Sequence, residues 1–477
     1  MGSVTPSFPV LTDPRPEDHS LPAFMVSTTR GFLPRADPIV TLPPEFSALE
    51  SLLQRMPIRT ASGEPGLLAQ GKFGEAVETE LPDLTEEVEK YKHDLPMVNA
   101  LYRDYSFVAS AYLLEPCHLR WLKGEGYGLG RERLPRQVAR PIWKCAEICK
   151  FQPFMEYAGS YALYNYRLVD PSLGLSDPTN VRLIRAFEHG LDPSSSEAGF
   201  VLVHIEMAKH SGLLVSAALD ALAACSSQPP SRTQLNTALS NMESALKTIN
   251  AAMETMWARS KPMEYTSFRT FIFGITSQPM FPNGVIYEGV DEFEGKPQRF
   301  RGESGANDSM VPLVDNLLGV EMPDTPLTAI LKDFRRYRPS NHREFLEWVK
   351  DAAETANLKK WALETDSEEG YLETRALWLK VLHQIRDFRW RHWCFAREYI
   401  IKRTMHPTAT GGSPIVTWLP NQLGAVLDEM ERLYGKFGGE EAKLGAEVDG
   451  IMDLVRRQRD MLAKEVRKFC EERGVKE

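Results

Sequence analysis

Cysteine is scarce in this chain: six residues in 477 (Cys117, Cys145, Cys149, Cys225, Cys394 and Cys470), with no CxxC pair among them. That excludes a disulfide framework and a zinc site of the paired-cysteine kind. Cys145 and Cys149 stand one helical turn apart, but no second ligand pair accompanies them. Blocks of basic residues are missing as well. The 56 Lys and Arg are scattered among 65 Asp and Glu for a net charge of −9, which argues against a nucleic-acid-binding or membrane-surface protein. No apolar run reaches bilayer length, and residues 1–30 lack a basic segment followed by an apolar core. A soluble, cytoplasmic protein is expected. Internal repeats are absent, and GVIYEGV is the only plausible short strand pair.

What the chain has in quantity is helical periodicity, so the expected fold class is all-α. Residues 1–44 carry many prolines and little periodicity and are expected to form an irregular arm. A smaller helical domain is expected over 45–192. Its helices run through Glu75–Glu115, break at LPRQVARP (134–141) and resume over Ile142–Tyr166. The Pro, Asn, Ser and Gly residues between Asp170 and Ser196 mark the boundary to a larger helical domain, 193–477.

The stretch from Leu379 to Thr404, LKVLHQIRDFRWRHWCFAREYIIKRT, lacks Gly and Pro and predicts one long, largely buried helix. His392 sits in its middle. At 100° per residue Ile385, Arg389, Phe395, Ala396 and Tyr399 share its face, while His383 points away. Such an imidazole commonly donates to a backbone carbonyl inside a core. One turn from an arginine, it also meets the need of a haem iron and a haem propionate. No CxxCH motif is present, so such a haem would be held without a covalent tether.

Four further stretches carry polar groups in apolar surroundings. In YTSFRTFIFGI (265–275), Arg269 must pair or face a ligand, because burying a lone guanidinium is costly. In FRGESGANDSMVPLVDNLLGV (300–320), Gly and Ser residues lead into a helix on which Asp315 can reach an arginine such as Arg389. TATGGSP (408–414) has the glycines of a mobile lid and the Thr410 hydroxyl. GFVLVHIEMAKHSG (199–212) puts His204 near a helix start with Phe200 and Met207 on its side. Each of these also reads as an ordinary ion pair, loop or core position when taken alone.

In this order the segments LPRQVARP, SYALYN, GFVLVHIE, FRTFIFG, GVIYEGV, FRGESGA with DNLLGV, NHREFL, FRWRHW and ATGGSP resemble the indoleamine 2,3-dioxygenase family, most closely its fungal members, over roughly Leu134–Leu419. The resemblance implies a two-domain all-α protein binding haem b. It also implies opening of the indole ring of L-tryptophan to N-formylkynurenine with dioxygen, and an electron donor to keep the iron reduced. It places His392 as iron ligand, and Phe200, Arg389 and Asp315 around the cofactor. It places Tyr265, Arg269, Gly305, Thr410, Gly411 and Gly412 around the substrate, and His204 and Ser304 as distal catalytic candidates. Two departures stand out: His204 falls where animal members carry serine, and Glu303 where they carry glycine. These leave open a related oxygenase acting on a modified indole, beside the lesser alternative of a haem-binding signalling protein with little turnover.

Overall fold

The computed structural model describes residues 7–189, 192–364 and 369–475. Its principal helices are α1 (Leu95–Leu122), α2 (Arg136–Cys149), α3 (Ser196–Ala208), α4 (Ser211–Ser226), α5 (Arg232–Glu254), α6 (Met310–Leu318), α7 (Ser340–Thr355), α8 (Tyr371–Phe395), α9 (Trp418–Lys436) and α10 (Ala446–Arg473). Among the described residues, strands are confined to two small pairs. β1 (Arg133–Leu134) runs parallel to β4 (Ile286–Tyr287), and β2 (Tyr166–Leu168) pairs antiparallel with β3 (Val181–Leu183). The fold class is all-α. No helix among the described residues is long and apolar enough to cross a membrane.

α1 is buried on nearly all sides from Val98 to Leu114, as an apolar helix must be when other elements surround it. The Asp94 carboxylate accepts from the Met97 amide at its N-terminus, and Pro96 occupies the first turn, where its missing N–H costs nothing. α5 packs against α3, α4 and α8, and α8 packs in turn against α9 and α10. Trp378, Leu379, Leu382 and Ile385 of α8 are fully buried in this contact layer.

The arm does not fray over its described part. Phe24, Val26, Phe32 and Leu33 are buried, and the Arg35 guanidinium donates to the carbonyls of Pro14, Asp18, Leu21 and Pro22. These bonds supply the order that helical periodicity does not. Two other expectations need correction. LPRQVARP does not break a helix but starts one, since α2 runs through Pro141 and ends at Lys150 in a left-handed conformation. The segment after it is a single π-helical turn, Tyr157–Tyr161, capped by the Glu156 carboxylate on the Ala158 and Gly159 amides. Likewise α8 starts earlier than expected, at Tyr371, and passes at Phe395 into a π-helical turn, Ala396–Ile401.

A buried ion network fastens α1 to its surroundings. Asp104 accepts from Arg103 at 2.7 Å and from Arg185 at 2.8 Å, and Arg185 also forks onto Glu50, one nitrogen at 3.1 Å. Burial alone would raise the Asp104 carboxyl; Arg103 and Arg185 overcome it and hold the group below its ordinary value. Its contribution to stability is therefore present above the unfolded carboxyl's pKa and is lost as pH falls through the depressed folded value. Asp104→Ala leaves the buried Arg103 guanidinium without a carboxylate and Arg185 with Glu50 alone, and is expected to cost about 3–5 kcal/mol by urea denaturation at neutral pH. That cost is expected to shrink in acid.

Candidate functional site

Two cavities meet at the centre of the helical layers. The first spans about 1080 Å³ of non-atom space and the second about 800 Å³, part of each open to solvent. Gly305, Asp308, Phe388, His392, Trp418 and Leu419 line both, so the two are lobes of one site.

His392 comes from the face of α8 that the periodicity defines. Phe388, Phe395, Ala396 and Tyr399 accompany it in the first lobe and Arg389 in the second. The π-helical turn after Phe395 keeps Ala396, Tyr399 and Ile400 on the same wall, a use of π geometry common at functional sites. His383 points away and bonds Arg386. Among the described residues no hydrogen-bond partner is recorded for the His392 imidazole. Burial, His204 and Arg389 lower its pKa to about 4. A neutral ring nitrogen facing an enclosed space is what an iron ligand requires.

His204 lines the same lobe from α3. Its Nδ1 lies 2.9 Å from the Phe200 carbonyl, which fixes the proton there and leaves Nε2 as an acceptor turned to the loop at Gly305. Burial lowers its pKa, so this ring is neutral too. Tyr157 and Phe200 pack edge-on against it, at 5.6 and 4.9 Å between ring centres. In the second lobe, Arg389 forks onto the Asp315 carboxylate, one nitrogen at 3.2 Å. Arg338 donates to the carbonyls of Ala306, Asn307 and Asp308, pinning the loop that leads into α6. With Arg335 these make the second lobe cationic and the first largely apolar. That division suits a group with an apolar face and carboxylate arms, so the residues present fit a haem.

The loops over the first lobe are stitched together. Thr410 donates its hydroxyl to the Glu303 carbonyl at 2.7 Å, Arg301 donates to the Gly411 carbonyl at 2.8 Å, and Gln278 donates to the Ala409 carbonyl at 2.7 Å. Gly274 and Gly302 cross backbone to backbone, and a Cβ on Gly302 would lie 2.2 Å from the Gly274 nitrogen. The 408–414 segment is thus clamped down on the site in this structure. Ser304, Gly305, Tyr265, Phe200 and Thr410 all line the first lobe. Gly411 and Gly412 do not: Gly411 packs on Phe334, and Gly412 lies at φ +81° against the Thr276 carbonyl.

Arg269 is also outside the wall. It is fully buried behind it, donating to the Thr408 carbonyl at 3.0 Å and stacked 4.6 Å from the Phe273 ring centre, with Nε and Nη1 unpartnered. Several lining residues escaped sequence reasoning, among them Tyr157, Arg338, Asp308, Trp418 and Leu419. Tyr157 lies three residues before the start of the SYALYN segment and is the one with a usable signal.

A helical layer around a two-lobed cavity, with a neutral unpartnered histidine and an arginine–carboxylate pair one turn apart, defines a haem-binding oxygenase class. The chain belongs to the indoleamine 2,3-dioxygenase family, whose profile matches residues 20–434. It is 24% identical over 392 residues to an indoleamine 2,3-dioxygenase of Aspergillus nanangensis, covering 81% of this chain and 88% of that one. It is 26% identical over 323 residues to the indoleamine 2,3-dioxygenase of Saccharomyces cerevisiae, covering 64% and 65%. A 6-hydroxytryptophan 2,3-dioxygenase of Fusarium equiseti is 26% identical over 330 residues, covering 68% and 73%. The chain is accordingly a haem-dependent oxidoreductase of the tryptophan 2,3-dioxygenase type, acting on tryptophan-like indoles.

Because Gly412 sits in the left-handed region against a carbonyl, Gly412→Ala is expected to cost roughly 1–3 kcal/mol. The same change is expected to loosen the 408–414 clamp, read as faster limited proteolysis within that segment.

Proposed function

We propose that His392 is the axial ligand of haem b, and that this chain uses dioxygen to open the indole ring of L-tryptophan or a close relative. The observation that carries the reading is His392 itself: a neutral imidazole with no recorded protein partner, shared by both lobes, with Arg389 one turn back and paired to Asp315. Phe200 flanks the cofactor from α3. The haem, when bound, supplies dioxygen activation at its iron; an external electron donor keeps that iron reduced.

The chain's own residues position and enclose. Phe200, Phe395, Met253, Met256 and Ile415 give the first lobe an apolar lining that excludes water from the reacting indole. His204 Nε2 is an acceptor suited to an N–H of the substrate, while Ser304 and Gly305 shape the loop above it. Thr410 and Tyr265 stand where the amino-acid head enters. Arg269 lies one residue layer behind them, and its unpartnered Nε and Nη1 take the substrate carboxylate when Thr408 releases its hold; Gly411 and Gly412 give that segment the freedom to do so. Holding the indole C2–C3 bond in one place is the main catalytic contribution of such a pocket.

His392→Ala is expected to lose the haem absorption band while far-ultraviolet circular dichroism stays helical, and an unchanged band would contradict the assignment. Arg269→Ala is expected to lower kcat/KM for L-tryptophan on the order of 100-fold, as loss of a buried charge partner does, with haem content retained. Equal loss of both would instead make Arg269 a structural residue.

A further inference from the structure

Dioxygen chemistry on plain tryptophan leaves the Glu303 side chain in the first lobe without employment. Its backbone is fixed: Thr410 bonds its carbonyl, and Gly302 before it is wedged against Gly274. The residue lines the cavity although it is only 2% exposed. Oε1 is buried without a partner, and among the described residues neither carboxyl oxygen has a recorded hydrogen bond or ion pair. A second unpartnered atom lies on the same wall, the Tyr157 hydroxyl, in a residue 1% exposed. The lobe's lining is otherwise largely apolar, Phe200 and Met207 included, with the His204 ring 5.6 Å from that of Tyr157 and Asp308 also lining it.

Buried polar groups are normally satisfied, and the orphans among the residues of this lobe, Glu303 Oε1 and the Tyr157 hydroxyl with the Trp418 indole N–H besides, point to a ligand that satisfies them. Burial pushes the Glu303 carboxyl up to about 8, so at neutral pH it is largely a neutral acid, able both to donate and to accept. Tyr157 and Tyr161 are the hydroxyls that feel its charge from the neighbouring π-helical turn, along with Glu156. Among the described residues no cation acts on the Glu303 carboxyl itself, while Tyr265 feels both Glu303 and Arg269. The charged head of an amino acid needs charge opposite it, which this chain keeps at Arg269. What suits Glu303 and Tyr157 is a neutral group with a donor and an acceptor.

We propose that Glu303 and Tyr157 form a hydrogen-bonding subsite for a hydroxyl on the benzo ring of the indole amino acid, so that the preferred substrate is a ring-hydroxylated tryptophan. The inference rests on the first lobe being the indole site. Unsubstituted tryptophan would leave both polar atoms buried and unpaired, and a site built to bond a hydroxyl discriminates strongly against the analogue without it. Glu303 acts here as a specificity-determining residue, touching the substrate away from the bonds that break.

The test uses ferric holoprotein, titrated with L-tryptophan and with each of the four benzo-ring hydroxytryptophans while the haem band is followed; the protein is then reduced with ascorbate under air and ring-opened product is scored by mass. At least one hydroxytryptophan is expected to bind about tenfold or more tighter than tryptophan. Glu303→Gly is expected to bring that ratio to within about threefold. Tyr157→Phe should reduce it in part, and Glu303→Gln, which keeps a donor and an acceptor, should preserve much of it. If Glu303→Gly fails to take up haem, the wild-type ratio and Tyr157→Phe decide. Equal affinities in the wild type, or a ratio that survives Glu303→Gly, would overturn the proposal. So would uniform weakening of every amino acid in both Glu303 variants, which would put the carboxyl at the ammonium group. A band that responds to no indole, with no ring-opened product, would instead sink the indole-site reading beneath it.

Discussion

An imidazole left free at a cavity wall is unusual, because buried ring nitrogens normally find partners, and much of this structure serves to keep His392 in that state. The carbonyls of its own helix are occupied by the α8 hydrogen-bond ladder. Arg389, the nearest cation, is held by Asp315, so it neither swings onto the ring nor fills the space before it. The apolar neighbours Phe388, Phe395 and Ala396 offer no acceptor. Burial then keeps the ring neutral, and a neutral nitrogen aimed into an enclosed space is reserved for something that is not protein.

The cavity stays enclosed through backbone contacts more than through bulky side chains. Gly274 and Gly302 allow two strands of loop to cross at a distance no Cβ would permit. On that crossing Thr410, Arg301 and Gln278 tie the 408–414 segment to the loop before α6. The same ties decide which groups reach the interior: Glu303 and Ser304 line it, while Gly411 and Gly412 turn outward. Arg269, bonded to the Thr408 carbonyl, is coupled to this segment, so the proposed anion receptor and the cover over the site belong to one mechanical unit.

The parts of this arrangement that depend on local pattern were readable in the sequence. A 3.6-residue period placed Arg389, Phe395, Ala396 and Tyr399 beside His392, and the same reasoning brought Phe200 and Met207 to the side of His204. The Asp315–Arg389 pair needed only a helix and a free carboxylate. What escaped depends on chain geometry that no period encodes. Two π-helical turns redirect Tyr157 and the 396–401 segment. α2 carries Pro141 within a helix that proline composition predicts to be broken. Trp418 and Leu419 reach the cavity because α9 starts there, a matter of chain path and not of local pattern. Arg269 was identified by its apolar setting, but its position behind Tyr265 and Thr408 is a matter of tertiary packing.

The account turns on which histidine meets the iron, since both His392 and His204 are neutral and line the same lobe. Resonance Raman spectra of the ferrous, haem-loaded protein report the iron–histidine stretch directly. The stretch should be present in the wild type and in His204→Ala and absent in His392→Ala. Its survival in His392→Ala together with its loss in His204→Ala would contradict the account, because it would exchange the proximal and distal sides of the site.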